Sequence, residues 1–456
     1  MSPQSTSSLT EAQRRAIAEL LRIAPVAIEL GHRFKAAGYE LALVGGSGRD
    51  AMLGRLGNDL DFATNARPPE ITSVIRPWTE AIWDVGQAFG TIGARKDGFQ
   101  LEITTYRSEA YDRSSRKPVV AFGNSLEGDL ERRDFAVNAM ALTLPEPRFI
   151  DPYGGLTDLA RAVLRTPATP ESSFSDDPLR MMRAARFAAQ LGFTLVPEVR
   201  QAIVDMVDRL DIVSAERVRD ELVKLICAAQ PRVGLEIMVE TGLAELVLPE
   251  LPKLRLEIDE HHRHKDVYEH TLTVLEQAIA LETEPNKPDF VLRFAAVMHD
   301  VGKPKTRRLE PDGRVSFHFH EMAGAQLTRT RMKALKFDRQ SIDEVSRLVE
   351  LHLRFHGYGS GEWTDSAVRR YVRDAGPLLD RLHKLTRSDC TTRRAASHAA
   401  AGSSAKCRST SSTVRAPMPR NPPTPTISAR ILPFLSNSTS FTSPTCALSG
   451  PSTSVP

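Results

Sequence analysis

Two aspartates, Asp59 and Asp61, lie one residue apart in the segment DLDFAT, shortly after the glycine pair Gly45 and Gly46. Side chains two residues apart on a β-strand point to the same face, so the two carboxylates would project together. Such a pair binds hard ions like Mg²⁺, which take phosphate oxygens as further ligands. A glycine turn that opens a helix admits phosphate to the backbone. The combination predicts metal-dependent phosphate chemistry; solvated aspartates on a surface strand are the alternative.

A third carboxylate, Glu102, lies in the segment FQLEITTYR, where apolar and polar residues alternate. The alternation predicts a strand with Glu102 on its polar face. From there Glu102 could join the two aspartates. Three carboxylates around Mg²⁺ are the arrangement needed for two-metal phosphoryl transfer, in which one ion activates a hydroxyl and the other neutralises the leaving pyrophosphate.

The segment DDPLRMMRAARF contains an acid and a base, Asp177 and Arg180, at the i, i+3 spacing that makes residues neighbours on a helix. Aspartate accepts hydrogen bonds and arginine donates them. Cytosine and adenine both present an amine donor beside a ring-nitrogen acceptor, whereas uracil and guanine present the reverse. The pair could therefore select C and A, with a mismatch costing on the order of 1–3 kcal/mol. An ordinary surface ion pair is the alternative.

Ten of the twelve histidines fall between residues 261 and 383. In RFAAVMHDVGKP, an apolar helix would end in His299 and Asp300, which places two potential metal ligands side by side. His270 could add a third ligand from another helix. Neutral imidazoles together with carboxylates suit Mn, Ni, Fe or Mg ions.

The periodicity predicts helices over residues 10–37, strands at YELALVGG, DLDFAT and FQLEITTYR, and helices from about 126 to 250. With 41% hydrophobic and 26% charged residues, the composition is typical of a soluble globular protein of several domains. No apolar run approaches the roughly 20 residues of a membrane span, and the four cysteines show no paired spacing, so we expect a cytoplasmic protein without a membrane partner.

The acidic residues are unevenly distributed, because all 57 of them precede Cys390. The net charge of +3 therefore conceals a slightly acidic body, in which nucleic-acid binding would depend on local basic patches. Residues 394–456 are rich in Ser, Thr and Pro and predict a disordered segment or the product of a reading-frame change.

Together the motifs GGSGRD, DLDFAT, LEITTYR and RRDFAVNAM resemble those of the class II tRNA nucleotidyltransferases and bacterial poly(A) polymerases, in the polymerase-beta superfamily. The histidine motifs resemble the HD superfamily of metal phosphohydrolases. The resemblance implies an α+β fold: a head of mixed sheet and helices, an all-α neck and body, and an all-α HD domain. We place these regions at 38–150, 151–255 and 256–393, after a helical segment at 1–37.

The same resemblance assigns roles to further residues. Asp59, Asp61 and Glu102 would be catalytic, and Mg²⁺ would bind Asp59 and Asp61. The incoming nucleotide would be bound by Gly45, Gly46, Arg49, Arg132, Arg133, Asp134 and Asn138. Asp177 and Arg180 would select the base, and Arg183 and Arg186 would extend a basic surface. A second site would hold a divalent transition metal or Mg²⁺ through His270, His299, Asp300 and Asp389, with His320 and His352 at a second metal or a phosphate subsite.

The resulting hypothesis is an enzyme that adds C, C and A to the tRNA 3′ end from CTP and ATP, without a nucleic-acid template and without a stable protein partner. A poly(A) polymerase, or an enzyme that adds only CC or only A, shares these motifs. An HD phosphohydrolase with a non-catalytic head is a second alternative, and an inactive HD fold that supports tRNA binding is a third.

Overall fold

The computed structural model of this chain describes residues 25–55, 57–84, 90–107, 125–256, 266–284, 287–313, 315–354 and 364–398, together with a few single residues before 25 and residue 123. Side chains are described as far as Cys390. Two expectations therefore lie partly outside the described residues: the beginning of the helical stretch at 10–37, and the low-complexity segment, which the structure describes only to residue 398.

A seven-stranded sheet forms the first part of the chain, with the strand order β3-β4-β5-β2-β1-β6-β7. Strands β2 and β5 pair in parallel, and the other neighbours pair antiparallel, so the sheet is mixed. The strands β1 to β7 are Leu41–Val44, Asp59–Thr64, Ala81–Trp83, Thr91–Lys96, Phe99–Thr105, Ala141–Leu144 and Arg148–Ile150.

Helices cover the sheet because each carries an apolar stripe. In helix α1, Pro25–Ala36, the side chains of Leu30 and Phe34 are fully buried and pack into one cluster with Phe62 of β2 and Ile71 of helix α3. The bounds of the other helices of this region are α2 Gly46–Met52, α3 Pro68–Ile75 and α4 Leu126–Glu131.

The chain after Ile150 is helical apart from two short two-stranded pairings, Val163–Leu164 with Thr194–Leu195 and Arg308–Leu309 with Val315–Ser316. One continuous buried cluster runs from Phe135 to Leu385 through these helices. The helices α5 to α18 are Gly155–Arg161, Pro170–Asp176, Leu179–Leu191, Pro197–Met206, Ala215–Ile226, Pro231–Glu240, Leu243–Val247, Val267–Ala280, Phe290–Met298, Lys303–Thr306, His320–Ala334, Arg339–Leu351, Asp365–Ala375 and Leu379–His398.

The predicted fold class is confirmed: a head with a mixed sheet is followed by a helical remainder. The strands predicted at DLDFAT and FQLEITTYR are present, and helix α7 ends before Gly192, which lies in the left-handed region at φ 71°. None of the described helices is both long and apolar enough to cross a bilayer. Neither of the described cysteines, Cys227 and Cys390, is part of a disulfide bond.

Gly48 stands in the middle of helix α2, and a Cβ added there would meet no atom within 4 Å. It borders an apolar pocket of about 300 Å³ that Leu43, Met140 and Phe149 also line. Gly155, the first residue of helix α5, is the opposite case, because a Cβ there would lie 2.1 Å from the Ala136 carbonyl oxygen.

We expect Gly48→Ala to raise the free energy of unfolding of the head by about 1 kcal/mol, since alanine loses less backbone entropy than glycine in a helix. Gly155→Ala, the matched control, should lower it by about 1–3 kcal/mol through the clash with the Ala136 carbonyl. Urea unfolding followed by tryptophan fluorescence measures both changes, because Trp78 and Trp83 lie in the head. Destabilisation by Gly48→Ala would contradict the open space at this position.

Candidate active site and metal centre

The structure brings the three predicted carboxylates together on one face of the sheet. Asp59 and Asp61 alternate along β2 with the buried Leu60 and Phe62. Asp61 lies opposite Glu102 in the parallel β2–β5 register, so their side chains project from the same face. Asp59 and Glu102 are exposed, and Asp61 is partly buried.

The Asp61 carboxylate is partly buried and lies close to two other carboxylates, those of Asp59 and Glu102. Burial and the neighbouring carboxylates of Glu102 and Asp59 together raise the pKa of the Asp61 carboxyl to about 6, although the guanidinium groups of Arg133 and Arg49 act in the opposite direction. A carboxylate cluster with too few cations around it fits a divalent ion, which would relieve this repulsion.

The glycine turn brings a cation to the same place. Gly45 has φ 69°, and a Cβ at this position would lie 3.1 Å from Arg133 Nη1 and 3.2 Å from Asp61 Oδ2. The guanidinium of Arg133 is also bound by Asp129, whose Oδ2 accepts a 2.9 Å hydrogen bond from Nη2. Gly46 then begins helix α2. The turn thus places the backbone of Gly45 directly beside the Asp61 carboxylate and the Arg133 guanidinium.

Several residues expected to bind nucleotide are instead buried and bonded to one another. The Arg49 guanidinium donates to both oxygens of Asp50 and, at 2.5 Å, to Asn138 Oδ1. Asn138 Nδ2 in turn donates to Asp134 Oδ1 at 2.9 Å. Arg49, Asp134 and Asn138 are each at most 7% exposed. This placement corrects the expectation of direct nucleotide contact for Asp134, because both of its oxygens already have protein partners.

Asp134 connects the head to the helical region. Its Oδ2 accepts hydrogen bonds from Nε and Nη2 of Arg183, on helix α7. Burial alone would raise the pKa of the Asp134 carboxyl, but Arg183 and Asn138 outweigh burial and hold this pKa well below its usual value. The carboxylate is therefore ionised at neutral pH.

Arg186 is buried and does not extend a basic surface as expected. Its Nε donates to Glu221 Oε2 at 2.6 Å and its Nη1 to Gln190 Oε1 at 2.8 Å. Arg183 shares Glu221 at 3.8 Å. Glu221 was missed in the sequence, although the segment SAERVRDELVKL that contains it has the pattern of an amphipathic helix.

Asp177 lies just before the helix and not on it. Helix α6 ends at Asp176, Asp177 is extended, and helix α7 begins at Leu179 after Pro178. Proline disfavours the helical conformation in the residue before it, which explains this correction. Asp177 Oδ1 accepts from the Leu179 amide, and Oδ2 accepts from Arg217 at 2.8 Å.

Arg180 makes different contacts, so the two residues do not form the surface ion pair that was the alternative prediction. Its Nη1 donates to Ser173 Oγ at 2.9 Å, and its Nη2 donates to the carbonyl oxygen of Arg132. Arg132 itself ends helix α4 with a partly buried side chain. Arg217, which holds Asp177, was missed in the sequence.

The six histidine-region ligands form two buried triads whose ligand atoms lie within 4.8 Å of one another: His270, His299 and Asp389, and Asp300, His320 and His352. Asp300 joins the triads, because its Oδ2 lies 3.2 Å from His299 Nε2 and its Oδ1 lies 3.2 Å from His320 Nε2. The structure thus places all six residues at one centre, with Asp389 arriving from helix α18.

The imidazoles of this centre are oriented as metal ligands. Nδ1 of His299, His320 and His352 lies 2.7–2.9 Å from the carbonyl oxygen three residues earlier, which fixes the proton on Nδ1. Their Nε2 atoms face inward without a hydrogen-bond partner among the described residues. Metal-binding histidines typically donate their other ring N–H to a carbonyl in this way, and so the residues present fit divalent ions.

The electrostatics of the centre favour a neutral His352 and an ionised Asp300, whereas at His299 the charge of Asp300 outweighs burial and raises the imidazole pKa. Burial lowers the pKa of His352 well below its usual value, and the neighbouring His320 and His299 act in the same direction. Burial alone would raise the pKa of Asp300, but His299 and Lys303 hold it well below its usual range. Lys303 Nζ lies 2.9 Å from Asp300 Oδ2 and was also missed in the sequence, although it follows in the same HDVGK segment.

Comparison with known proteins matches three family models along the chain. Residues 41–165 match the poly A polymerase head domain, residues 192–254 the probable RNA and SrmB-binding site of polymerase A, and residues 267–393 the HD domain.

Curated relatives and solved structures agree with these matches. The chain is 42% identical over 212 residues to a CCA-adding enzyme of Lactobacillus johnsonii, covering 46% of this chain and 52% of that one. It is 38% identical over 271 residues to an A-adding tRNA nucleotidyltransferase of Deinococcus radiodurans, covering 58% and 60%. It thus spans between half and three fifths of the length of these relatives.

The solved structure of the Bacillus stearothermophilus CCA-adding enzyme in complex with CTP has a similar fold, with a TM-score of 0.58 and 28% identity over 81% of this chain and 80% of that one. Head, RNA-binding and HD models occur in the same order in which the structure arranges the sheet, the neck and the histidine centre. The chain therefore contains a poly A polymerase head domain, the probable RNA-binding region of polymerase A and an HD domain, in this order, and it is similar to tRNA nucleotidyltransferases.

Proposed function

We propose that this protein is a CCA tRNA nucleotidyltransferase, which extends the tRNA 3′ end with C, C and A from CTP and ATP and releases pyrophosphate. The observation that carries the proposal is the cluster of Asp59, Asp61 and Glu102 beside the Gly45 turn and Arg133. The names of the relatives support the same reading, since most of those compared are CCA-adding enzymes. We place the activity in the cytoplasm.

The carboxylates have distinct tasks in this proposal. Asp59 and Asp61 hold Mg²⁺, and Glu102 adds negative charge from the neighbouring strand. When bound, Mg²⁺ activates the tRNA 3′-hydroxyl and neutralises charge on the leaving pyrophosphate. Arg133 lies next to Asp61 across the glycine turn, where it compensates the triphosphate charge, and Gly45 leaves the space that a triphosphate needs. Arg132 contributes a second cation at the end of helix α4.

Base selection is the task of Asp177 and Arg180. Arg217 and the Leu179 amide hold the Asp177 carboxylate, which keeps an acceptor for the amine of cytosine or adenine. Ser173 and the Arg132 carbonyl hold the Arg180 guanidinium, which donates to the ring nitrogen. Because both groups are held from other elements, they act as a fixed template rather than as a pair that neutralises itself.

Two other activities are favoured by specific observations. The Deinococcus radiodurans relative is an A-adding tRNA nucleotidyltransferase, which favours an enzyme restricted to the last step, and a poly(A) polymerase uses the same cluster. The two buried triads favour a phosphohydrolase at the HD centre. We propose that this centre holds a divalent transition metal or Mg²⁺ through its six ligands.

One assay separates these activities. The purified chain is incubated with tRNA that ends before C74, after C74 or after C75, with each labelled NTP alone and with CTP and ATP together. A CCA-adding enzyme extends all three substrates to the same final length. Extension of the last substrate alone identifies an A-adding enzyme, and long products from ATP identify a poly(A) polymerase. Phosphate release without extension, retained by Asp59→Ala/Asp61→Ala, identifies a hydrolase with a non-catalytic head.

Asp61→Asn should lower nucleotide addition by more than about 100-fold, because it removes a proposed metal ligand. Replacing a residue that only orients such a ligand typically costs about 10- to 100-fold. The same variant should stabilise the metal-free protein at pH 8 by up to roughly 3 kcal/mol, because the pKa of the wild-type carboxyl is raised to about 6 from the usual aspartate value of about 4. A raised carboxyl pKa costs stability above pH 6, and the cost disappears as the pH falls towards 4.

Thermal unfolding in EDTA between pH 5 and 8 measures this difference. Asp84→Asn, at an exposed aspartate directly after strand β3, is the control and should change neither activity nor stability. Equal stability of Asp61→Asn and wild type at pH 8 would contradict the repulsion at Asp61.

Asp177→Ala and Arg180→Ala should each reduce the preference for CTP and ATP over UTP and GTP by about 10- to 100-fold, which corresponds to about 1–3 kcal/mol for an unpaired polar edge. Single-turnover addition to tRNA with each NTP measures the preference. Asp205→Ala, an exposed residue of helix α8, is the control. Slower addition with an unchanged preference would show that the two residues only support the fold.

Addition of Mn²⁺ or Ni²⁺ to the chelator-treated chain should raise its unfolding free energy by about 2.7 kcal/mol when the metal is at 100 times its dissociation constant. His352→Ala and Asp300→Ala should lose this metal-dependent shift, whereas Asp59→Ala/Asp61→Ala should keep it. The shift is measured for each variant against its own metal-free state. Loss of the shift in the head variant alone would place the tight metal site in the head.

A further inference from the structure

Ser47 lies in the glycine turn between Gly46 and Gly48 and is 7% exposed. Its hydroxyl is bonded on both sides to the strand that carries the two aspartates. Oγ donates to the Asp59 carbonyl oxygen at 3.1 Å and accepts from the Asp61 amide at 3.1 Å. One side chain thus touches the backbone of both residues whose carboxylates form the cluster, without touching either carboxylate.

The two bonds take the place of a missing strand partner. The register between β1 and β2 ends at the pair Leu43↔Phe62, because the chain turns at Gly45 and leaves the sheet. On the opposite edge the backbone stays paired, since the parallel register with β5 extends to Asp59↔Gln100. In a strand, the carbonyl of one residue and the amide two residues later face the same edge, where a neighbouring strand would bind both. Here the Ser47 hydroxyl replaces that strand, because it binds both the Asp59 carbonyl oxygen and the Asp61 amide.

The beginning of β2, at Asp59 and Asp61, is where repulsion between carboxylates opposes the pairing of the strand. The carboxylates of Asp61, Asp59 and Glu102 repel one another, and repulsion would move the end of β2 away from β5 if its other edge were free. We propose that Ser47 is a positioning residue for nucleotidyl transfer, which holds the backbone of Asp59 and Asp61 so that both carboxylates meet the same Mg²⁺. The inference rests on the proposed function for its consequence, and on the two hydrogen bonds for its geometry.

The test compares Ser47→Ala, which removes both bonds, with Ser47→Thr, which keeps the hydroxyl. Ser73→Ala, an exposed serine of helix α3 in the same domain, is the matched control. Two quantities are measured on the full chain: the Mg²⁺ concentration that gives half-maximal nucleotide addition, and hydrogen exchange of the amides in residues 57–64, with and without Mg²⁺ and CTP.

For Ser47→Ala we expect exchange at the Asp61 amide to rise about tenfold and the half-maximal Mg²⁺ concentration to rise about tenfold. Addition at saturating Mg²⁺ should stay within about threefold of wild type, because the carboxylates themselves remain. Ser47→Thr and Ser73→Ala should stay within twofold of wild type in both quantities. Protection of residues 57–64 by Mg²⁺ and CTP should require a correspondingly higher Mg²⁺ concentration in Ser47→Ala.

Unchanged exchange in Ser47→Ala, or a Ser47→Thr variant that behaves like Ser47→Ala, overturns the inference. So does a loss of addition that saturating Mg²⁺ does not restore, because that pattern belongs to a general loss of fold. If the wild-type chain adds no nucleotide to any tRNA, the proposed function fails; the exchange data then decide the role of Ser47 alone, and faster exchange with weaker Mg²⁺ protection in Ser47→Ala supports it.

Discussion

Three carboxylates that repel one another have to be held side by side at the edge of a sheet, and the architecture of the head follows from that constraint. The parallel pairing of β2 with β5 sets Asp61 opposite Glu102, and the buried Leu60 and Phe62 anchor the strand from behind. The turn at Gly45 brings Arg133 to within reach, and Ser47 closes the open edge of β2. Burial, together with the charges of Glu102 and Asp59, raises the pKa of Asp61, and a bound cation would offset both effects.

The head and the neck are coupled through charges that are buried and paired. Asp134 forms an ion pair with Arg183 of helix α7, and both Arg183 and Arg186 form ion pairs with Glu221 of helix α9. Breaking such a network by removing one member leaves an uncompensated buried charge, which costs much more than a surface pair contributes. Helix α7 also carries Arg180 and follows directly on Asp177. The position of the proposed base-selecting residues is therefore fixed relative to the carboxylate cluster by electrostatics as well as by the apolar core.

Local patterns predicted much of this arrangement. The alternation in DLDFAT and FQLEITTYR predicted the two strands and the common face of the carboxylates, and the resemblance to the HD superfamily pointed to all six residues that the structure brings together at the histidine centre. Other features depend on partners distant in sequence. Arg186 was expected at the surface, but it is buried against Glu221, which lies 35 positions away in the sequence. Asp134 was expected to bind a ligand, but its carboxylate binds Arg183. The helix break before α7 could have been predicted from the local sequence, because Pro178 follows Asp177. The i, i+3 spacing of Asp177 and Arg180 led instead to the prediction of one continuous helix.

The two proposed metal centres solve the same electrostatic problem in opposite ways. In the head, Asp59 and Glu102 are exposed and Asp61 partly so, and few cations are nearby, so water and substrate phosphates can complete the coordination and the ions can enter and leave with the nucleotide. At the HD centre, buried imidazoles with fixed tautomers alternate with carboxylates, and Lys303 already balances Asp300. Such a preformed set of ligands loses little order on binding and retains its ions. In this proposal, the difference in burial would distinguish an exchangeable metal in the head from a tightly held one at the HD centre.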